Sequence, residues 1–348
     1  MKRRVWFIAS TVVLVVLAVY IAAVSVIARS SQLNAVSISP REVLRIPWGT
    51  TSDTVAYRTV QADGWQGPST IAVDKDSVYV VDRVNCEIKV YGKNGIIVDR
   101  IPLPAQYAKC PYQLEIVGKS LFLTHDDIGQ PMGLAMYRNG QWCDVNLDKS
   151  IPGFSGWLHL SSTAFGRLNI KRDIPPEEDN GGIPRWAVLD ESGTVISSTL
   201  PVFASPDDNI PEPQLVTNET GRQSLAPAGQ EICLVNRAGK ILKRAMIENG
   251  AATNVITMLK DRTQDVFVRT RTLTGELDRW TNYLTVYGPN LEVRARVALV
   301  LPEQYRDSFI FPSSDVGRTD IVANDKYYEM VYLKDGIVVL EWDPFARK

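Results

Sequence analysis

The chain has 348 residues, 45% of them hydrophobic, and its 38 basic and 39 acidic side chains leave a formal net charge of −1. That balance excludes a charge-driven nucleic-acid binder, which carries a basic patch or stripe. Only two histidines are present, which excludes a His-rich metal site.

Met1-Lys2-Arg3-Arg4 form a basic tip, and Val5 to Ile27 then run 23 residues without a charge. As a helix that run is about 34 Å long, against a hydrocarbon core about 30 Å thick. Three basic residues precede it and Arg29 alone follows closely. The positive-inside bias therefore leaves the N-terminus in the cytoplasm and everything beyond the span outside it. We expect a cytoplasmic tip over 1–4, a signal-anchor helix over 5–27, a tether over 28–40 and an extracytoplasmic domain over 41–348. A cleaved signal peptide, with Ala23-Val24-Ser25 as its cleavage site, is the alternative. It fits less well because signal cores run only about 7–15 residues.

Past residue 40, short alternating apolar runs are punctuated by Gly, Asn, Asp and Pro, the pattern of many short strands. Gly67 to Asp82 aligns without gaps to Cys110 to His125, an offset of 43 residues. Each copy continues to an aromatic-ended strand (Ile88 to Tyr91; Leu134 to Tyr137), a turn and another strand. A repeat of about 40–50 residues made of four strands is a propeller blade. Further blades follow the same rhythm over Trp157 to Val202, Gln214 to Met246, Val255 to Val300 and Phe309 to Trp342. The expectation is an all-β, six-bladed β-propeller, with seven blades as the alternative. Glu42 to Trp48 stands apart; its Arg45-Ile46-Pro47 echoes Arg100-Ile101-Pro102, and it is expected to pair with the final blade and close the ring.

Gly67-Pro68, Ile71-Ala72-Val73-Asp74, Val78-Tyr79-Val80, Asp82, Asn85, Ile88 and Val90-Tyr91 carry a resemblance to the NHL-repeat family of propellers. It is best over residues 67–104 and weaker over 110–147, and Glu87 stands where that family often has a basic residue. The resemblance implies a propeller of a kind that mostly serves as a binding platform, with a minority of members carrying enzymatic sites.

In a blade with strands a to d from centre to rim, the b–c loops and the d–a links share one face. Loops carry function more often than the strands that hold them. Asp82, Asn85, His125, Asp126 and Asp127 are the candidate ligand-binding residues on that face. Imidazole and carboxylates suit a divalent metal or acid–base work, whereas Asp and Asn at turns also serve local hydrogen bonding alone. Cys86 and Cys110 fall on this face in adjacent blades, and a disulfide between them is expected. Val117-Gly118-Lys119-Ser120 lacks the first glycine of a P-loop, and Gly153-Phe154-Ser155-Gly156 is not a nucleophile elbow. With no complete catalytic motif, the expected function is a membrane-tethered, non-catalytic binding or scaffold module, taking a protein, peptide or glycan and needing no cofactor. The alternative is a metal-dependent propeller hydrolase of the lactonase type, with Asp74, Asp82, Asn85, Asp126 and Asp127 around a divalent cation such as calcium.

Overall fold

The computed structural model describes residues 35–60, 64–126, 132–154, 156–162, 166–173, 186–198, 212–217, 230–235, 241–247, 253–260, 265–273, 280–305 and 319–346. The predicted span over 5–27 and Asp127 lie outside the described residues. No helix among the described residues is long and apolar enough to cross a membrane.

The described chain opens with β1 (Val36–Ile38) and β2 (Arg41–Pro47), followed by a two-stranded ribbon of β3 (Arg58–Val60) and β4 (Gly64–Gln66). The tether expected over 28–40 therefore gives way to strand at Val36. The first blade is β5 (Pro68–Val73), β6 (Ser77–Asp82), β7 (Glu87–Gly92) and β8 (Ile97–Pro102), paired in chain order. The short helix α1 (Ala105–Ala108) leads to the second blade, β9 (Pro111–Val117), β10 (Ser120–His125), β11 (Gly133–Arg138) and β12 (Gln141–Asp144). After α2 (Leu147–Ser150) comes a third, β13 (Trp157–Ser162), β14 (Arg167–Asp173), β15 (Trp186–Asp190) and β16 (Val195–Ser197). A sheet of three strands follows, β17 (Glu212–Thr217), β18 (Gln230–Val235) and β19 (Ile241–Met246). The next blade is β20 (Thr253–Lys260), β21 (Val266–Leu273), β22 (Trp280–Tyr287) and β23 (Val293–Leu299). The last is β24 (Asp320–Ala323), β25 (Lys326–Tyr332) and β26 (Gly336–Trp342), with β2 as its outer strand.

The local chemistry explains these elements. β6 reads Ser-Val-Tyr-Val-Val-Asp, β-branched and aromatic residues suited to a pleated surface. The Asp74 carboxylate starts it by accepting the backbone N–H groups of Asp76 (2.8 Å) and Ser77 (2.7 Å), an Asx-type turn. β11 turns into β12 through Asn139-Gly140, both at positive φ (51° and 83°), as a two-residue hairpin matched to strand twist requires.

The architecture is a β-propeller, with one correction to the blade count. Among the described residues five sheets reach four or more strands, not the six or seven expected. The segment read as a blade over Gln214 to Met246 supplies only β17–β19 among the described residues.

The core lies between sheets rather than at one centre. One apolar cluster joins the first blade to its neighbours on both sides through Val80, Ile88, Leu114, Leu123, Tyr328 and Val339. Others join the second to the third blade (Phe122, Leu168, Leu189), the three-stranded sheet to the blade after it (Ile232, Val268), and that blade to the last (Phe267, Tyr327, Trp342). Polar side chains add fasteners. Gln113 on the inner strand β9 accepts the Leu160 N–H at 2.9 Å and donates to the Leu160 carbonyl at 2.6 Å, so one side-chain amide completes a backbone pair across two blades.

The N-terminal segment closes the ring as expected, and does so twice over. β2 pairs antiparallel with β26, Arg45 opposite Val338, while β1 runs parallel to β23 and adds a fifth strand to that blade. Glu341, buried on β26, accepts from Arg41 on β2 (3.0 Å), from Lys326 (2.8 Å) and from the Tyr328 hydroxyl (2.9 Å). Burial raises its pKa, but these three donors outweigh that and hold the carboxyl below its usual range.

Candidate ligand-binding face

The b–c turns and the d–a links lie on one face. In the first blade these are residues 83–86 and 103–110; in the second, 126–132 and 145–156. The link from β2 to β5 belongs to this face too: the Ala56 N–H donates to Asp82 at 3.3 Å and Thr54 offers its carbonyl to Lys89.

Asp82 ends β6, and it is wholly buried. Its carboxylate pairs with the buried Lys89 ammonium at 3.0 Å and accepts the Asn85 side-chain amide at 2.8 Å and backbone N–H at 3.3 Å. Lys89 also meets Glu87 at 3.2 Å. The arrangement is a charged knot that fixes the b–c turn and the incoming link, and it leaves Asp82 turned inward. Of the expected site residues, Asp82 and Asn85 are therefore brought together, but on each other.

His125 ends β10 at the matching place: it stands opposite Pro111 as Asp82 stands opposite Pro68, so the 43-residue repeat holds in three dimensions. Its imidazole lies against the Tyr107 ring (centroids 4.9 Å apart) and over Gly133, where an added Cβ would meet ring atoms at 2.5 and 2.6 Å. Glycine is required there by that close approach. Tyr107 in turn packs on Trp142 (5.7 Å) and donates to Asp144 at 2.7 Å. Burial first, then the Asp144 carboxylate, push its phenol up to about 12. The Asp126 N–H donates to the Cys110 carbonyl at 2.9 Å, and Arg83 donates to the carbonyl of Lys109. The two b–c turns are thus stitched together through the link between them.

The expected Cys86–Cys110 disulfide is corrected. Cys86, Cys110 and Cys143 carry thiols. Cys86 sits at φ 52°, and that left-handed backbone turns its Sγ back onto its own turn, 3.7 Å from the Arg83 carbonyl oxygen.

Asp74 and Asp82, two of the carboxylates proposed to share a cation, do not gather. Asp74 lies before β6 and Asp82 ends it, so a strand of about 17 Å separates them. Asp74 is also engaged locally, accepting the Tyr79 hydroxyl at 3.1 Å besides its turn amides. Among the described residues no group of three or more His, Cys, Asp or Glu is placed to hold a metal ion.

Sequence reasoning missed the aromatics of this face. Tyr112 is the extra residue of a β-bulge: Thr124 pairs with Gln113 and His125 with Pro111. Bulges re-aim side chains, and Tyr112 meets Trp157, the first residue of inner strand β13, edge-on at 5.8 Å. Trp157 remains 52% exposed. A second pair, Trp48 and Tyr57, meets at 5.1 Å on the β2–β5 link, with Tyr57 also 52% exposed. The available signal was the repeat itself, in which Tyr112 stands where the first copy has Ser69.

No protein-family model matches the chain, and no curated protein matches it. Several solved structures are similar. A member of the DUF4221 family from Bacteroides vulgatus is 12% identical (TM-score 0.42), covering 88% of this chain and 98% of that one. A calcium-binding protein, regucalcin, from Agrobacterium tumefaciens is 11% identical (TM-score 0.39; 90% and 100%). A gluconolactonase from Xanthomonas campestris is 10% identical (TM-score 0.37; 76% and 81%). At these scores the fold stands on the sheet topology of this chain, and none of the likenesses bears on what it binds.

Proposed function

We propose that the chain is a membrane-tethered, extracytoplasmic propeller that binds its ligand without catalysis, on the face built from the b–c turns and d–a links. The observation that carries this is the Trp157–Tyr112 pair. Half of the Trp157 surface faces solvent at the start of an innermost strand, and aromatic anchors of this kind dominate binding energy at interfaces. A protein, peptide or glycan ligand suits such a platform. The hydrolase alternative needs converging ligands for a cation, and two of the carboxylates it would draw on are already engaged, Asp82 by Lys89 and Asn85 and Asp74 by turn amides.

The test uses the full chain as bait on solubilised membranes and on a panel of surface glycans, beside Trp157→Ala and Tyr112→Ala. Trp157 is half exposed, so Trp157→Ala should leave the unfolding midpoint nearly unchanged, while Tyr112 packs on the core between two blades and Tyr112→Ala should lower it modestly without unfolding the chain. A ligand held by the parent chain and lost by both variants supports the reading; retention by both variants overturns it. Titration with Ca²⁺, Mg²⁺, Mn²⁺ and Zn²⁺ should leave thermal unfolding unshifted. A saturable upward shift at micromolar metal would restore the hydrolase.

A further inference from the structure

We infer that the propeller stands edge-on to the bilayer, with the rim of the β20–β23 blade resting on the membrane surface. The inference rests on the anchor reading above.

The first support is the place where the chain enters the fold. β1 joins neither face; it is the outermost strand of one blade, Val36 opposite Val297 and Ile38 opposite Leu299. The second is reach. Residues 28–35, eight in all, lie between the predicted span and β1, and they extend at most about 28 Å. The apolar clusters join the β20–β23 blade to the last blade, the last to the first and the first to the β9–β12 blade, so along that path the β9–β12 blade lies three positions away. At about 4.8 Å per strand, that opposite rim lies at least about 35 Å further off. So short a connection favours the near rim strongly.

The third support is the chemistry of the near rim. Val36 (49%) on β1, and Val293 (59%) and Val300 (41%) at the two ends of β23, are exposed apolar side chains at this rim. The neighbouring cations are engaged within the protein: Arg294 by Asp265, Arg41 by Glu341. Contact with the bilayer is therefore through apolar side chains at the interface, not through attraction to anionic headgroups, and is insensitive to salt. Held this way, both faces stand roughly upright on the membrane, and the Trp157 face opens sideways to solvent.

The test takes the full chain in phosphatidylcholine nanodiscs carrying a headgroup-attached acceptor dye. A fluorescent amino acid is placed by codon reassignment at Ser37 on the near rim or at Gln141 on the far one, with equal unfolding midpoints required of both. Energy transfer is expected to be several-fold stronger from position 37, and unchanged when sodium chloride is raised about tenfold. Replacing Val36, Val293 and Val300 by Ser should weaken it. Equal transfer from both positions, or stronger transfer from position 141, overturns the orientation. Alkaline carbonate extraction of the same membranes separates the two failures: a chain released by carbonate overturns the anchor itself, whereas a retained chain with the wrong transfer pattern overturns only the inference.

Discussion

Replacing Lys89 by Met probes the charged knot beneath the candidate face. Lys89 and Asp82 are both wholly buried, 3.0 Å apart. At an effective dielectric of about 20, that separation gives an attraction of about 5–6 kcal/mol before desolvation is subtracted. Met fills similar space but leaves the Asp82 carboxylate buried with only Asn85 and the Ala56 N–H as donors. Removing one partner of a buried pair costs about 3–5 kcal/mol. Lys89→Met should fall in that range, a large part of a typical domain's whole stability. Asp82→Asn should cost less, about 2 kcal/mol, because Lys89 keeps Glu87 and the Thr54 carbonyl. In the double variant Asp82→Leu, Lys89→Met no charge is stranded, so its cost should be well below the sum of the singles. Urea unfolding followed by circular dichroism and by tryptophan fluorescence measures all three, provided the two signals coincide. A Lys89→Met cost under about 1 kcal/mol, or strict additivity in the double variant, would refute the reasoning.

Two further outcomes follow from the fasteners. Gln113→Ala strands both the N–H and the carbonyl of Leu160 at a blade boundary, and should cost about 2 kcal/mol by the same unfolding assay, while Gln113→Glu, which keeps an acceptor but loses the donor, should cost nearly as much. Glu341 has a folded pKa held below its ordinary 4.5, so its contribution to stability is present above about pH 4.5 and is lost as pH falls through the lower folded value. Glu341→Gln should therefore flatten the pH dependence of the unfolding midpoint below pH 4.5, and an unchanged slope would remove Glu341 from the account.

How far the sequence reveals this molecule varies blade by blade. The first blade was legible almost to the residue, because its alternation, its Asp74 turn and its tyrosine-ended strand all agree on the same strands. The β17–β19 region was not: its apolar runs read as a full blade, but only three strands pair among the described residues. Asp82 and Asn85 were rightly placed on a turn, yet nothing in sequence said that Lys89, seven residues on, would be folded inward to neutralise the aspartate. Tyr112 was hidden for a different reason. A bulge shifts register by one residue, so strict period-two reading assigns its side chain to the wrong side. The cysteines misled because topology placed them on one face, while a single left-handed residue decided where the Cys86 thiol points.

The double latch has a consequence for how the chain is made. Arg41 and Glu341 bond across 300 positions of sequence. At about 5–20 residues per second, β2 emerges roughly 15–60 s before β26 exists to receive it. Throughout synthesis, then, two strands of high β-propensity wait without their partners, open to pairing with other chains. Loss of even the last dozen residues would remove most of β26 and make the exposure of β2 permanent, so premature termination late in synthesis should yield an aggregating chain rather than a shortened but serviceable one.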